Sequence, residues 1–155
     1  MKNKLATLIA TWFGCGYAPV GPGTVGSAAA LVIAFLLVRL AGWQPLWFAA
    51  LAAVASAPAI WAAGVTALGV KQRDPGLVVV DEVVGQWLTL AGARLLNVKS
   101  LVGAFVLFRL FDIWKPPPVR QLERLPAGTG IVADDLMAGT YAALVLFVAG
   151  CFNLY

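Results

Sequence analysis

The sequence predicts an all-α polytopic membrane protein, folded as one bundle of helices that cross a bilayer. The chain of 155 residues is 61% hydrophobic and only 12% charged. Its mean hydropathy is +0.88, far above the values that soluble domains show. Several segments approach or exceed the ~20 apolar residues that a spanning helix needs. No stretch has the composition of a linker, so residues 1–155 are expected to form a single integral-membrane domain.

Five spans are predicted, separated by turns that contain glycine, proline or polar residues. In chain order the spans are residues 25–40, 46–68, 78–96, 101–114 and 131–155. The turns are expected at residues 42–45, 69–76, 97–100 and 115–130. The N-terminal apolar segment, residues 5–18, is short for a span, so a re-entrant or interfacial helix is expected there.

Basic residues predict the orientation of these spans. The side on which the first span begins receives seven lysines and arginines, and the opposite side receives three. The seven are Lys2, Lys4, Lys71, Arg73, Lys115, Arg120 and Arg124; the three are Arg39, Arg94 and Lys99. Because cytoplasmic loops carry an excess of Lys and Arg, the first side is predicted to be cytoplasmic. The same rule accounts for the net charge of +4, so nucleic acid is not expected as a partner.

Five of the seven acidic residues converge on this predicted cytoplasmic side. Asp81 and Glu82 begin the third span, Asp112 ends the fourth, and Asp134 and Asp135 begin the fifth. Carboxylates brought together repel one another unless a cation lies between them. Oxygen ligands without His or Cys favour Mg²⁺ or Mn²⁺. All five are therefore candidate metal ligands, and Asp81, Glu82 and Asp135 are the catalytic candidates.

An alternative role for the acids is to stabilise helix starts. A carboxylate at a helix N-terminus contributes about 0.3–1 kcal/mol, and Asp134 suits a helix cap. This alternative does not cover Asp112, which stands at a C-terminal end. Glu82, Gln86 and Thr89, spaced i, i+4 and i+7, form one polar stripe on an otherwise apolar helix, which favours an inward-facing site.

The segment PVGPGTVGS, residues 19–27, is suited to binding an anion on the same side. Glycine and proline interrupt the preceding segment, and a helix then starts with Thr24 or Ser27 available as a cap. Backbone N–H groups at a helix start attract anions, so Gly23 and Thr24 are candidate substrate-binding residues. A plain tight turn is the alternative.

Arg109, Lys115 and Arg120 bring positive charge to the same rim, as phosphate binding requires. Lys115 and Arg120 are equally consistent with long side chains that only extend toward the membrane surface. Arg109 is not, because it lies inside the fourth span. All three are candidate substrate-binding residues.

Acids, basic side chains and an anion-binding turn together indicate metal-dependent phosphoryl chemistry at the membrane surface. The chain has no histidine, which excludes a phosphohistidine intermediate. Neither cysteine has an arginine six residues on, and no aspartyl-phosphate motif occurs. Attack by a metal-activated water, with a carboxylate as base, remains. A small cation transporter or channel, or a structural subunit, is the alternative, but few polar residues continue toward the opposite side.

Four separated motifs resemble the phosphatidylglycerophosphatase A family. They are GYAPVGPGTVGS (16–27), VVDEVVGQW (79–87), FRLFDIWKPPPVR (108–120) and GTGIVADDLMAG (128–139). Family members often have Met where this chain has Val132. The resemblance implies a Mg²⁺-dependent hydrolase that converts phosphatidylglycerophosphate into phosphatidylglycerol and phosphate. It also implies a multi-pass enzyme of phospholipid synthesis in the bacterial inner membrane; whether the protein forms a homo-oligomer stays open.

Overall fold

A computed structural model describes residues 3–155, which form helices and loops and no β-strand. The helices are α1 (Lys4–Ala10), α2 (Pro22–Ala41), α3 (Pro45–Val70), α4 (Val80–Leu90), α5 (Val98–Trp114), α6 (Val119–Leu122) and α7 (Ala127–Cys151). A 3₁₀ turn, Cys15–Tyr17, lies between α1 and α2. The predicted helical bundle is confirmed; Lys2, which entered the charge count, lies outside the described residues.

Three of these helices, α2, α3 and α7, are long and apolar enough to cross a membrane, with mean hydropathies of 2.1, 1.8 and 1.7. Helix α5 has 17 residues, about 25 Å at ~1.5 Å per residue. It exposes an apolar face formed by Val102, Val106, Leu110 and Ile113. Such a face suits contact with lipid, but the total of five spans stays a prediction.

Helix α4 departs most from the prediction. A span was predicted over residues 78–96, whereas the helix covers only Val80–Leu90. Its 11 residues extend about 16 Å, roughly half of the ~30 Å hydrocarbon core. Nine of the 11 are buried, so α4 lies inside the bundle. The chain then continues without helix to Asn97, where α5 begins; such backbone is tolerated at membrane depth when protein surrounds it.

The N-terminal segment contains only the short helix α1, about 10 Å long, which cannot cross a bilayer. The amide of Val79 donates a hydrogen bond to the carbonyl oxygen of Ala10 at 2.8 Å. This bond attaches the end of α1 to the residue that precedes α4. The N-terminal segment therefore supports the start of α4 from one side.

Helices α4 and α7 run parallel and touch through two glycines. A Cβ atom on Gly139 would lie 2.5 Å from the carbonyl oxygen of Gly85, and one on Gly85 would lie 2.7 Å from that of Asp135. Only glycine permits this approach. The hydroxyl of Thr89 also donates to the Gly85 carbonyl at 2.9 Å. The contact fixes the acidic residues of α4 and α7 side by side.

Candidate active site

A cavity of about 220 Å³ lies where several helix ends meet on one face of the bundle. Its lining comes from the start of α2, the loop before α4, the first turn of α4, the end of α5 and the second and third turns of α7: Gly21, Pro22, Gly23, Asp74, Gly76, Val78, Asp81, Glu82, Arg109, Asp112, Lys115, Ile131, Asp134 and Asp135. At roughly 30 Å³ per water molecule, this space suits a phosphate group with a few waters. All five predicted acids line it.

Asp81, Glu82 and Asp135 form the tightest group of acids. One carboxylate oxygen from each lies within 4.8 Å of the others. Asp81 and Asp135 are 7% and 3% exposed, so little water screens their charges. Carboxylates this close and this buried repel one another strongly unless a cation or a proton intervenes.

Unpartnered oxygen atoms support a cation at this place. Buried carboxylate oxygens with no hydrogen-bond partner among the described residues are Asp81 Oδ1, Glu82 Oε2, Asp134 Oδ1 and Asp135 Oδ2. Buried polar atoms normally find a partner, so these oxygens are free to coordinate a ligand. Carboxylate oxygens are the ligands that Mg²⁺ prefers. The residues present therefore fit a Mg²⁺ ion.

The net charge of the cavity lining also supports a bound cation. Six carboxylates and two cations line the cavity. An excess of negative charge disfavours entry of a phosphate group by itself. A bound divalent cation would reduce that excess and allow the phosphate to enter.

Asp112 is held by Arg109, which precedes it by three residues on α5. The guanidinium Nη1 of Arg109 lies 2.6 Å from Oδ2 of Asp112 and 3.8 Å from Oε1 of Glu82. Arg109 therefore connects the end of α5 to the first turn of α4. The Nε atom of Arg109 is buried without a partner among the described residues, so this side chain retains a donor for another acceptor.

Asp134 is held by Lys115. The ammonium of Lys115 lies 2.7 Å from Oδ2 of Asp134 and 3.3 Å from Oε2 of Glu123. Partial burial lowers the pKa of Lys115, but the hydrogen bond and charge of Asp134 outweigh that effect and raise it overall. Asp112 and Asp134 were both predicted as metal ligands. They share the cavity with Asp81, Glu82 and Asp135, but each already pairs with a cation.

Gly23 lies directly against Glu82. A Cβ atom at this position would overlap the Oε1 atom of Glu82 and would lie 3.2 Å from Nη1 of Arg109. The absence of a side chain therefore makes room for the carboxylate. Gly23 is placed at the site as predicted, and its role there is to admit Glu82.

Thr24 does not join the site. Helix α2 starts at Pro22, and Gly21 occupies the N-cap position with a φ of 57° and no capping side chain. The predicted cap by Thr24 or Ser27 is therefore wrong. Proline at the first helical position already has the required φ, which is why the helix begins earlier than predicted. Thr24 is exposed and does not line the acidic cavity.

Arg120 also lies outside the acidic cavity. Its side chain is exposed and lines a neighbouring depression. Arg120 follows the proline-rich turn after α5, and residue spacing does not reveal which of the two spaces its side chain lines.

The helix-start alternative holds for only part of the cluster. Helix α7 begins at Ala127 with Pro126 as its cap, so the interpretation of Asp134 as a cap is wrong. Asp134 and Asp135 stand beyond the first turn, where the helix dipole has little effect. Asp81 and Glu82 do lie in the first turn of α4, where the dipole favours them.

The sequence interpretation missed Asp74, which lines the cavity from the loop before α4. Although its side chain is exposed, desolvation by surrounding protein raises the pKa of Asp74, and the positive charge of Lys115 opposes that shift. The predicted topology already placed this loop on the acidic side. Acidic residues in polar loops usually contact only solvent, so the position of Asp74 in the sequence was weak evidence for a place in the site.

Comparisons with known proteins relate the chain to one family over most of its length. The model of the family described as phosphatidylglycerophosphatase A matches residues 8–150. A Bacteroides thetaiotaomicron protein, provisionally named a phosphatidylinositol-3-phosphatase, is 38% identical over 149 residues, 94% of this chain and 93% of the relative. Proteins named phosphatidylglycerophosphatase A are similar too: one from Escherichia coli K12 is 34% identical over 92% of this chain and 82% of its own length. The other, from Haemophilus influenzae, is 36% identical over 90% and 85%.

No solved structure matches the chain, so the family is shown by sequence. The family match includes the segments that carry every acid of the cavity. Two relatives that bear the family's name align with this chain over most of their own length. The chain belongs to the phosphatidylglycerophosphatase A family.

Proposed function

We propose that this protein is a Mg²⁺-dependent lipid phosphatase that hydrolyses phosphatidylglycerophosphate to phosphatidylglycerol and inorganic phosphate. Family membership supports the reaction. The observation that carries the proposal is the buried group of Asp81, Glu82 and Asp135, whose oxygens approach within 4.8 Å. In a purely structural protein, nothing would offset the free-energy cost of burying three carboxylates together.

The charged groups of the cavity other than Asp74 have distinct parts in the proposed reaction. Asp81, Glu82 and Asp135 would hold Mg²⁺, which offsets the charge of the phosphate and makes water a better nucleophile. One carboxylate of the three accepts the proton that the attacking water loses. Arg109 and Lys115 bind oxygens of the terminal phosphate, and Asp112 and Asp134 hold these two cations in place. The phosphorus–oxygen bond to glycerol breaks, and the glycerol oxygen takes up a proton.

We propose further that the site faces the cytoplasm from the bacterial inner membrane, where it serves phospholipid synthesis. The distribution of basic residues supports this orientation. Single cysteines at Gln72 and Pro126, in a chain with Cys15→Ala and Cys151→Ala, should be protected from an impermeant thiol reagent in intact cells. A cysteine at Leu95 should react. The opposite pattern would place the site outside.

Phosphatidylinositol 3-phosphate is a second candidate substrate because of the name of the Bacteroides relative. Both lipids carry a phosphodiester, a polyol and a terminal phosphomonoester. The acidic cavity, with a volume of about 220 Å³, has room for the terminal phosphate of either lipid. The polyol therefore has to be distinguished by measurement.

Phosphate release by the purified protein in detergent tests the proposed function. Phosphatidylglycerophosphate, phosphatidylinositol 3-phosphate and phosphatidic acid would be compared at equal surface concentration with Mg²⁺ present. We expect the highest kcat/KM on phosphatidylglycerophosphate. A higher value on phosphatidylinositol 3-phosphate would transfer the assignment to that lipid, and release from none of them would reject a phosphatase.

A further inference from the structure

A second depression of about 230 Å³ adjoins the acidic cavity. It is lined by Trp114, Lys115, Pro116, Pro117, Arg120 and Gln121. Lys115 lines both spaces, so they lie next to each other. The two linings differ in charge: the second contains two basic residues and no carboxylate. It therefore offers a place for an anion beside the place for a cation.

The walls of this depression are fixed by the fold. The hydroxyl of Tyr141 on α7 donates to the carbonyl oxygen of Pro117 at 2.8 Å. The amide of Val119 donates to the carbonyl oxygen of Pro116 at 2.8 Å, and Val119 is fully buried. Proline restricts the backbone further. The turn that presents Arg120 is thus held against the bundle.

Arg120 differs from the two cations of the acidic cavity. Arg109 and Lys115 pair with carboxylates, whereas Arg120 makes no ion pair within residues 3–155. Its guanidinium offers a planar set of donors that matches the oxygens of a phosphate. Trp114 on the same wall is 63% exposed, and exposed tryptophan is typical of the headgroup level of a membrane.

We propose that this depression binds the phosphodiester of the lipid substrate through Arg120 while the terminal phosphate occupies the acidic cavity. The inference rests on the proposed function, because it needs a substrate with two phosphates. Both candidate lipids have this form. The polyol that joins their phosphodiester to their terminal phosphate would pass Lys115. Phosphatidic acid has no phosphodiester, so Arg120 selects against it.

The test is the ratio of kcat/KM on phosphatidylglycerophosphate to that on phosphatidic acid, measured in micelles of an uncharged detergent. In Arg120→Gln this ratio should fall about tenfold or more, since a charge-assisted hydrogen bond is lost. The fall should appear mainly in KM. Arg120→Lys should recover part of it. Arg124→Gln is the matched control, because Arg124 is also exposed but lines neither space, and its ratio should match the wild type.

Three results would overturn the inference. The first is an unchanged kcat/KM on both lipids in Arg120→Gln. The second is an equal loss on both lipids, which would give Arg120 a general part in activity or folding; melting temperatures of the same preparations would separate these. The third is a loss confined to vesicles containing anionic lipid and equal for both substrates, which would assign the depression to a neighbouring phospholipid. A wild-type protein inactive on phosphatidylglycerophosphate would instead reject the proposed function itself.

Discussion

Asp81, Glu82 and Asp135 place three carboxylates together at positions largely closed to solvent. An ionised carboxylate inside a membrane protein is costly unless it is paired. The other two acids of the cluster have cationic partners, Arg109 and Lys115. Within residues 3–155, the closest three acids have no comparable partner except the more distant Arg109 contact of Glu82. This difference supports the proposal that Asp81, Glu82 and Asp135 would hold the ion and that Asp112 and Asp134 position the cations.

Replacing Asp81 or Asp135 by asparagine should separate catalysis from stability. Each change keeps the size of the side chain and removes one charge. Turnover of phosphatidylglycerophosphate should fall at least about a hundredfold, because a ligand of the ion is lost. The melting temperature should stay the same or rise as repulsion is relieved. Both quantities should be measured on the same detergent preparations.

Near-normal turnover in both variants, together with a lower melting temperature, would instead mean that the acids serve to stabilise helix starts. That outcome is physically reasonable for Asp81, which stands in the first turn of α4. It is not for Asp135, which lies beyond the first turn of α7. Disagreement between the two variants would therefore identify which acid binds the ion.

At the scale of the helices, the glycine contact between α4 and α7 sets the spacing of the acids. Gly85 and Gly139 let the two backbones approach within a distance that any Cβ atom would prevent. Because Asp81 and Asp135 lie about one turn before these glycines, separating the helices would also separate the carboxylates. Packing and function are thus coupled through two residues that carry no functional group.

Gly139→Ala should accordingly lower both stability and activity. The added Cβ would meet the carbonyl oxygen of Gly85 at 2.5 Å, and overpacking of this kind costs about 1–3 kcal/mol. Gly103→Ala on α5 is the control, because its Cβ would meet only Leu146 at 3.5 Å, an ordinary contact. Melting temperature and the Mg²⁺ concentration for half-maximal activity would be compared. Equal behaviour of the two variants would show that the close approach does not set the site.

The sequence predicted some helices well and others poorly for identifiable reasons. Helices α2 and α3 were placed within a few residues, because both are long apolar runs that begin near proline and end near a turn. Helix α4 was predicted too long, since a helix buried in protein and a helix buried in lipid have the same apolar composition. The start of α7 was placed late because Ala127–Gly130 contains two glycines, which are poor helix formers, although packing keeps them helical.

In the complete bundle, five acids lie on one face because successive spans run in opposite directions. This convergence was predictable by counting spans. The convergence survives the shortening of α4 because residues 94–96 still lie beside the turn between α2 and α3, at the opposite end of the bundle. The pairing of Arg109 with Asp112 was predictable from helical spacing. The pairing of Lys115 with Asp134 was not, since 19 residues separate them in the chain and only the folded bundle brings them together.

Metal dependence is the property on which the proposed site depends most. Purified protein treated with excess EDTA would be assayed for phosphate release from phosphatidylglycerophosphate and then titrated with Mg²⁺. We expect no turnover in EDTA and saturable recovery as Mg²⁺ exceeds the chelator, with Asp135→Asn requiring a higher Mg²⁺ concentration. Full turnover of the wild-type protein in excess EDTA would contradict a metal site at Asp81, Glu82 and Asp135.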